Sequence, residues 1–183
     1  IPLLPRVKEE LEHFEALDII TEIKKPTKYC SPMVPVLKKP IKSADGKIIG
    51  AAKVRICVDL KNLNNNVRRE RYILPTLEDV TSQLSNAKVF SSLDAASEFY
   101  QIPLDPDSQE LTTFITPFGR YCFKRRPFRI TSAPEIFMRK MNEVLQGLDG
   151  VFVFMDDVLI YGVDMSQHDQ GLKLVLERLT EAV

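Results

Sequence analysis

The chain has 183 residues, 44% of them apolar and 27% charged, with 25 basic and 25 acidic side chains. That is enough for one or two compact domains with a buried core, and no apolar run approaches membrane-spanning length. The longest, Val151 to Tyr161, is interrupted by Asp156 and Asp157. The N-terminal Ile-Pro-Leu-Leu-Pro-Arg has neither a starting Met nor the basic-then-apolar pattern of a signal peptide, so the chain is expected to be a piece of a longer one. Cys30, Cys57 and Cys122 are too dispersed for a disulfide framework or a zinc spacing. His13 and His168 sit on charged stretches of helical pattern, so a histidine-centred site is not expected.

In chain order, residues 7–20 carry apolar side chains at helical spacing: Val7, Leu11, Phe14 and Leu17. From Lys24 to Pro40 four prolines predict an extended, irregular segment. Ser43 to Gly46 has turn composition. Lys53 to Leu60 alternates as a strand does, with Val54, Ile56 and Val58 on one face and Lys53, Arg55 and Asp59 on the other, and Asn62 to Asn66 ends it. Thr76 to Leu84 predicts a helix opened by a Thr76–Asp79 capping box, with Leu77, Val80 and Leu84 as its stripe. Val89 to Leu93 is a short strand running into Asp94. Leu111 to Phe123 reads as a hairpin turning at Pro117-Phe-Gly119.

Ser132-Ala-Pro-Glu135 has the composition of a helix start, with serine as cap. The helix after it would bury Phe137, Met141, Val144, Leu145 and Leu148. Val151-Phe-Val-Phe-Met and Val158-Leu-Ile-Tyr flank Asp156-Asp157 as a hairpin, and a last helix from Ser166 would bury Leu172, Val175, Leu176 and Leu179. Hairpins and helices in this order predict an α+β fold with helices backing an antiparallel sheet.

The zero net charge conceals an asymmetry. Lys24 to Arg71 holds thirteen Lys or Arg against Asp45, Asp59 and Glu70. Such a block suits a polyanion, and equally a solvated lysine-rich surface. Arg120, Lys124, Arg125, Arg126 and Arg129 form a second cluster that suits a nucleic-acid backbone or a guarded hairpin edge. Asp94, Asp156 and Asp157 border strongly apolar strands. If those strands are neighbours, three carboxylates converge as a two-Mg²⁺ site requires; the plain alternative is that Asp-Asp is turn chemistry. Arg55 has the fork that matches phosphate oxygens, or a surface ion pair.

Six segments in order resemble the reverse transcriptases of long-terminal-repeat retroelements, most closely the gypsy type. They are Val54-Arg-Ile-Cys-Val-Asp-Leu-Lys-Asn-Leu-Asn64, Tyr72-Ile-Leu-Pro-Thr76, Phe90-Ser-Ser-Leu-Asp94 with Phe99-Tyr-Gln-Ile-Pro-Leu104, Thr113 to Phe123, Pro127 to Phe137, and Phe154-Met-Asp-Asp157 with His168 and Leu172 behind it. The resemblance implies the fingers and palm of a right-hand polymerase with an antiparallel palm sheet backed by helices. Residues 1–23 would lead into the fingers, 24–85 would be basic fingers, 86–114 palm with the first catalytic aspartate, 115–130 a fingers/palm hairpin and 131–183 palm, with the chain stopping before the thumb.

The implied activity is RNA-directed DNA synthesis from dNTPs on an RNA or DNA template-primer, with two Mg²⁺ ions (Mn²⁺ as substitute) on Asp94, Asp156 and Asp157. Arg55, Phe99, Gln101 and Phe128 would serve the nucleotide. Arg55 would meet the triphosphate with a lysine of the Lys38-Lys39 to Lys47 loop, and Phe99 would exclude a 2′-hydroxyl. Lys53, Lys61, Arg126, Arg129 and Met155 would contact template or primer. The remainder of a Pol polyprotein, with thumb and RNase H, would be the protein partner, no membrane would be involved, and the setting would be cytoplasmic virus-like particles.

The sequence departs from the family at Glu98 and Arg129, where glycine is usual, and at Met138, where glutamine is usual. These changes are expected to weaken polymerisation. They keep open a second reading, a palm that retains only nucleic-acid binding. Phe99 speaks against a third, RNA-templated RNA synthesis.

Overall fold

The computed structural model describes residues 3–37, 45, 54–73 and 76–182. They are α+β and fall into two compact units. The first comprises residues 1–67 and 100–130, the second residues 68–99 and 131–183.

In the first unit, Leu4–Ala16 forms helix α1, opened by Pro5 in its first turn and burying Val7 and Leu11. Leu17 is exposed, because the helix has ended and Asp18 takes a left-handed φ of 55° that turns the chain into strand β1, Ile20–Glu22. The proline-rich stretch is not irregular throughout: Ser31–Leu37 is strand β2, inside a five-stranded sheet. With β3 (Val54–Val58), β5 (Phe114–Thr116) and β6 (Gly119–Phe123), the order is β1-β6-β5-β2-β3. The prolines are tolerated because β2 pairs with β5 only at Ser31 and Pro32. At Pro35 the strand has β3 as its one neighbour, an edge-like position where a missing N–H is harmless.

Strand β3 alternates as its sequence requires, Val54, Ile56 and Val58 buried and Arg55 exposed. The asparagines after it form a one-turn helix α2, Lys61–Asn64, where the sequence predicted only a strand end. The β5–β6 hairpin turns at Pro117-Phe118 as expected. A short helix α4, Pro106–Leu111, is an addition; Asp105 caps it by accepting from the Asp107 and Ser108 N–H groups. Phe114 stacks on Tyr121 and packs tilted against Phe123 in this unit's core.

The second unit carries a three-stranded antiparallel sheet in the order β4-β8-β7, from Val89–Asp94, Asp157–Gly162 and Val151–Phe154 respectively. One face, with Ile160, Val158 and Val153, is buried beneath helices α5 (Ala133–Val144) and α6 (Met165–Glu181). Helix α3, Leu77–Gln83, opens with both halves of the expected Thr76–Asp79 capping box.

Two sequence expectations are corrected here. Ser132 stands at the N-cap of α5, but its side chain makes no capping bond, and Glu135 is instead buried against Arg69. Helix α6 is capped by Asp164, whose carboxylate accepts from Gln167 N–H, and it buries His168, Gly171 and Val175, leaving Leu176 exposed. Gly162 makes that packing feasible: a Cβ there would lie 2.7 Å from the His168 nitrogen. The expected turn at Ser43 to Gly46 lies outside the described residues apart from Asp45.

Candidate active site

Strand β4 ends at Asp94, and β8 begins at Asp157. The two are register partners across the antiparallel ladder. Residues directly opposite point to the same face and have Cβ atoms about 4.5–5.5 Å apart. That face is the open one: Phe90, Ser92 and Asp94 on β4 meet Tyr161, Leu159 and Asp157 on β8. Asp157 is also opposite Phe154 of β7. An exposed sheet face therefore ends in two opposed carboxylates, which would repel unless a cation stands between them.

The third aspartate is in the turn. Phe154 and Asp157 pair directly, so Met155 and Asp156 make a two-residue hairpin loop. Met155 has φ 54°, a left-handed conformation that a two-residue hairpin demands and that glycine would adopt more cheaply. The Asp156 carbonyl accepts from the Ala95 N–H at 3.1 Å, so the turn is tied to the residue immediately after Asp94. All three acids are thus set by one piece of sheet backbone.

These residues fit a hard divalent cation by donor type and register. Among the described residues no cluster of three or more acids, histidines or cysteines is already close enough to enclose a metal. Mg²⁺ does not require such a cage, since it keeps waters and shares its shell with substrate phosphates.

Beneath the sheet, His168 of α6 is 4% exposed. Its Nε2 lies 2.9 Å from Ser91 Oγ and its Nδ1 2.9 Å from Asp169 Oδ1. His168 is therefore a buried tie between α6 and the strand carrying Asp94, not a residue on a solvated charged face. The signal was available in its spacing to Gly171, Leu172 and Val175, which share its side of the helix. A second tie joins the segment before α3 to α5: Arg69 donates two bonds to Glu135 Oε1 at 3.0 and 2.9 Å, and Arg139 pairs with Glu70 and Glu143. Arg139–Glu143 is an ordinary i,i+4 helix pair, but no spacing rule could have paired Arg69 with Glu135 or Arg139 with Glu70.

Of the other anticipated site residues, Phe99 is half-buried in the second unit, its ring edge-on to Phe137 of α5 at 6.4 Å. Met155 is exposed. The rest belong to the first unit. Arg55 is exposed on β3, with its guanidinium carbon 5.0 Å from the centre of the half-buried Phe128 ring. Gln101 is exposed at the end of a 3₁₀ turn, Glu98–Gln101. Lys61 is exposed at the start of α2, its backbone N–H donating to Asp59. Arg126 is 6% exposed, so it does not display its side chain for a template as expected. Arg129 is exposed and has φ 73°. Lys53, Lys38, Lys39 and Lys47 lie outside the described residues.

The two departures from glycine thus differ physically. Arg129 occupies a backbone conformation that favours glycine. Glu98 sits in the 3₁₀ turn, and the left-handed position beside it is Ser97, with φ 55°.

Residues 36–183 match the family model described as "Reverse transcriptase (RNA-dependent DNA polymerase)". The chain belongs to the reverse transcriptase family. Among curated proteins, this reverse transcriptase chain is 32% identical over 178 residues to the retrovirus-related Pol polyprotein from transposon 297 of Drosophila melanogaster. It is 33% identical over 135 residues to the corresponding polyprotein from transposon gypsy of the same organism. These alignments cover 96% and 73% of the chain but only 16% and 13% of the polyproteins.

Among solved structures, the protease-reverse transcriptase of prototype foamy virus superposes with a TM-score of 0.80 at 21% identity, over 99% of this chain and 23% of that one. A foamy viral protease-reverse transcriptase in complex with RNA/DNA hybrid gives 0.76 at 22% identity, over 97% and 22%. At that identity the likeness establishes the fold, the α+β arrangement of a polymerase fingers and palm.

Proposed function

We propose that this chain is the catalytic core of a retroelement polymerase that extends a primer 3′-hydroxyl with dNTPs, copying an RNA or DNA template. The observation that carries the reading is the opposition of Asp94 and Asp157 on an open sheet face, with Asp156 tied to Ala95 beside them. In a member of the reverse transcriptase family, that is the arrangement nucleotidyl transfer asks of its carboxylates.

Asp94, Asp156 and Asp157 would hold Mg²⁺, or Mn²⁺ in its place. When bound, two such ions activate the attacking hydroxyl and stabilise the departing pyrophosphate. The chain's own residues do the rest. The β4–β8 ladder keeps two carboxylates in register, so that the repulsion between them is set up before substrate arrives. Phe99, braced by Phe137, presents a flat ring that leaves no room for a 2′-hydroxyl. Arg55, steadied on Phe128, offers a planar fork to phosphate oxygens, with Gln101 beside the nucleotide. Lys61 and Met155 are proposed to meet template or primer. The 1–23, 24–85 and 115–130 stretches are assigned to the fingers and their approach, and 86–114 and 131–183 to the palm. The thumb and RNase H of a Pol polyprotein are the proposed protein partners, and cytoplasmic virus-like particles the proposed setting.

The test is Mg²⁺-dependent dTMP incorporation on primed poly(rA). The parent chain is expected to incorporate, and Asp156→Asn to lose at least about 100-fold. Absence of incorporation with salt-sensitive template binding retained would instead support the second reading, a palm that only binds nucleic acid. The observation favouring that alternative is the left-handed backbone at Arg129.

A further inference from the structure

Several arginines here are committed to acids: Arg69 to Glu135, and Arg139 to Glu70 and Glu143. Arg55 and Arg129 are not. Both are exposed, both line the same pocket of about 70 Å³ with Tyr100, Pro127 and Phe128, and neither has a carboxylate within ion-pair distance among the described residues. Two guanidiniums at one pocket repel each other unless an anion lies between them. Two guanidinium-bearing side chains in the wall of one small pocket suit an oxyanion as its occupant.

The backbone adds a second argument. Arg129 keeps a left-handed φ of 73°, and its carbonyl accepts from Asn64 Nδ2 at 2.6 Å, which holds the peptide in that strained form. Strain of this kind persists where surrounding structure enforces it, and it concentrates at ligand-clamping positions. A glycine would sit there without strain but would supply no charge.

We infer that Arg129 is a second phosphate-binding arginine, acting with Arg55 on the triphosphate of the incoming nucleotide. This rests on the polymerase reading for the identity of the ligand, though not for the chemistry of the pocket. The Arg55 fork is steadied by the Phe128 face, and the fixed peptide at 129 sets where the second side chain leaves the backbone. The residue that looks like damage to a glycine position would then be a substrate-binding side chain.

The test measures equilibrium binding of inorganic triphosphate, and separately of primed poly(rA), to the whole chain and to Arg129→Gly, Arg129→Lys and Arg55→Ala, with a thermal melt of each. Arg129→Gly is expected to bind triphosphate about tenfold more weakly while melting at a higher temperature. Arg129→Lys keeps a charge and the strain, so it should lose part of the affinity and gain no stability. Arg55→Ala should weaken triphosphate as well. Unchanged triphosphate affinity in Arg129→Gly overturns the inference, and so does a loss confined to primed poly(rA), which would make Arg129 a template contact. If the parent chain incorporates dNTPs while Arg129→Gly binds triphosphate normally, the inference fails and the polymerase reading stands. If Arg129→Gly loses triphosphate while the parent never incorporates, the site stands and the polymerase reading fails.

Discussion

Asp94 and Asp157 face each other across the β4–β8 ladder, and the Ala95 N–H that follows Asp94 reaches the carbonyl of Asp156. One strand end and one tight hairpin, with Asp156 in its two-residue loop, therefore set the backbone of all three acids. Disturbing the ladder should disturb the acids together, which distinguishes this site from acids scattered on flexible segments.

Met155 gives the first prediction. At φ 54° its side chain costs energy that glycine would not. Met155→Gly should stabilise the hairpin by about 1 kcal/mol, and Met155→Val should destabilise it, because a branched Cβ tolerates this region least. Urea unfolding of both variants measures the difference. A glycine variant less stable than the parent would mean the methionine's contacts outweigh its backbone strain.

His168 gives the second. Its ring joins α6 to Ser91 on the strand bearing Asp94. His168→Ala should lower stability by roughly 2–4 kcal/mol, from lost packing and a stranded polar partner. Ser91→Ala should cost less, since it removes one bond and no ring. Equal and small effects in both would show that the tie carries no weight.

Much of this arrangement was legible beforehand. The apolar runs flanking Asp156-Asp157, the run from Val89 to Asp94, the Thr76–Asp79 box and the Pro117-Phe118 turn all became the elements they predicted. These are local signals, each written within a few residues. Strand β2 was hidden because prolines argue against a strand, and only the short pairing with β5 shows why they are harmless. The burial of Glu135 and Arg126 was hidden because charge on a helix or loop says nothing about which face is covered, whereas His168 at least shared its side of the helix with Gly171, Leu172 and Val175. The left-handed backbone of Arg129 had a trace in sequence, the glycine expected at its position.

The buried acid tie gives the third prediction. Glu135 is 6% exposed, and its Oε2 has no hydrogen-bond partner among the described residues. Arg69→Ala should therefore destabilise by about 1–3 kcal/mol, the solvent exposure of Arg69 moderating the loss. Adding Glu135→Leu should restore part of it by removing the stranded charge. A double variant no better than Arg69→Ala alone would contradict this account.

The cysteines give the fourth. Burial pushes the Cys122 thiol above its ordinary range, whereas Cys30 is exposed. In the folded chain Cys122 holds its proton at a pH where the unfolded chain releases it. Its contribution to stability is therefore present below the ordinary thiol pKa and declines as pH rises through that value toward the raised one. Iodoacetamide under native conditions near pH 8 should label Cys30 first and Cys122 only on unfolding, as peptide mass spectrometry would read. Early labelling of Cys122 would show that this part of the sheet opens readily.

The most direct measurement on the central claim is a Mn²⁺ titration followed by water-proton relaxation, on the parent chain, Asp94→Asn and Asp157→Asn, with circular dichroism confirming that each is folded. If the two opposed carboxylates hold the cation jointly, the parent binds Mn²⁺ and each single amide variant loses most of that binding. If either variant binds as the parent does, their opposition across the ladder is not the metal site, and the catalytic assignment built on it is wrong.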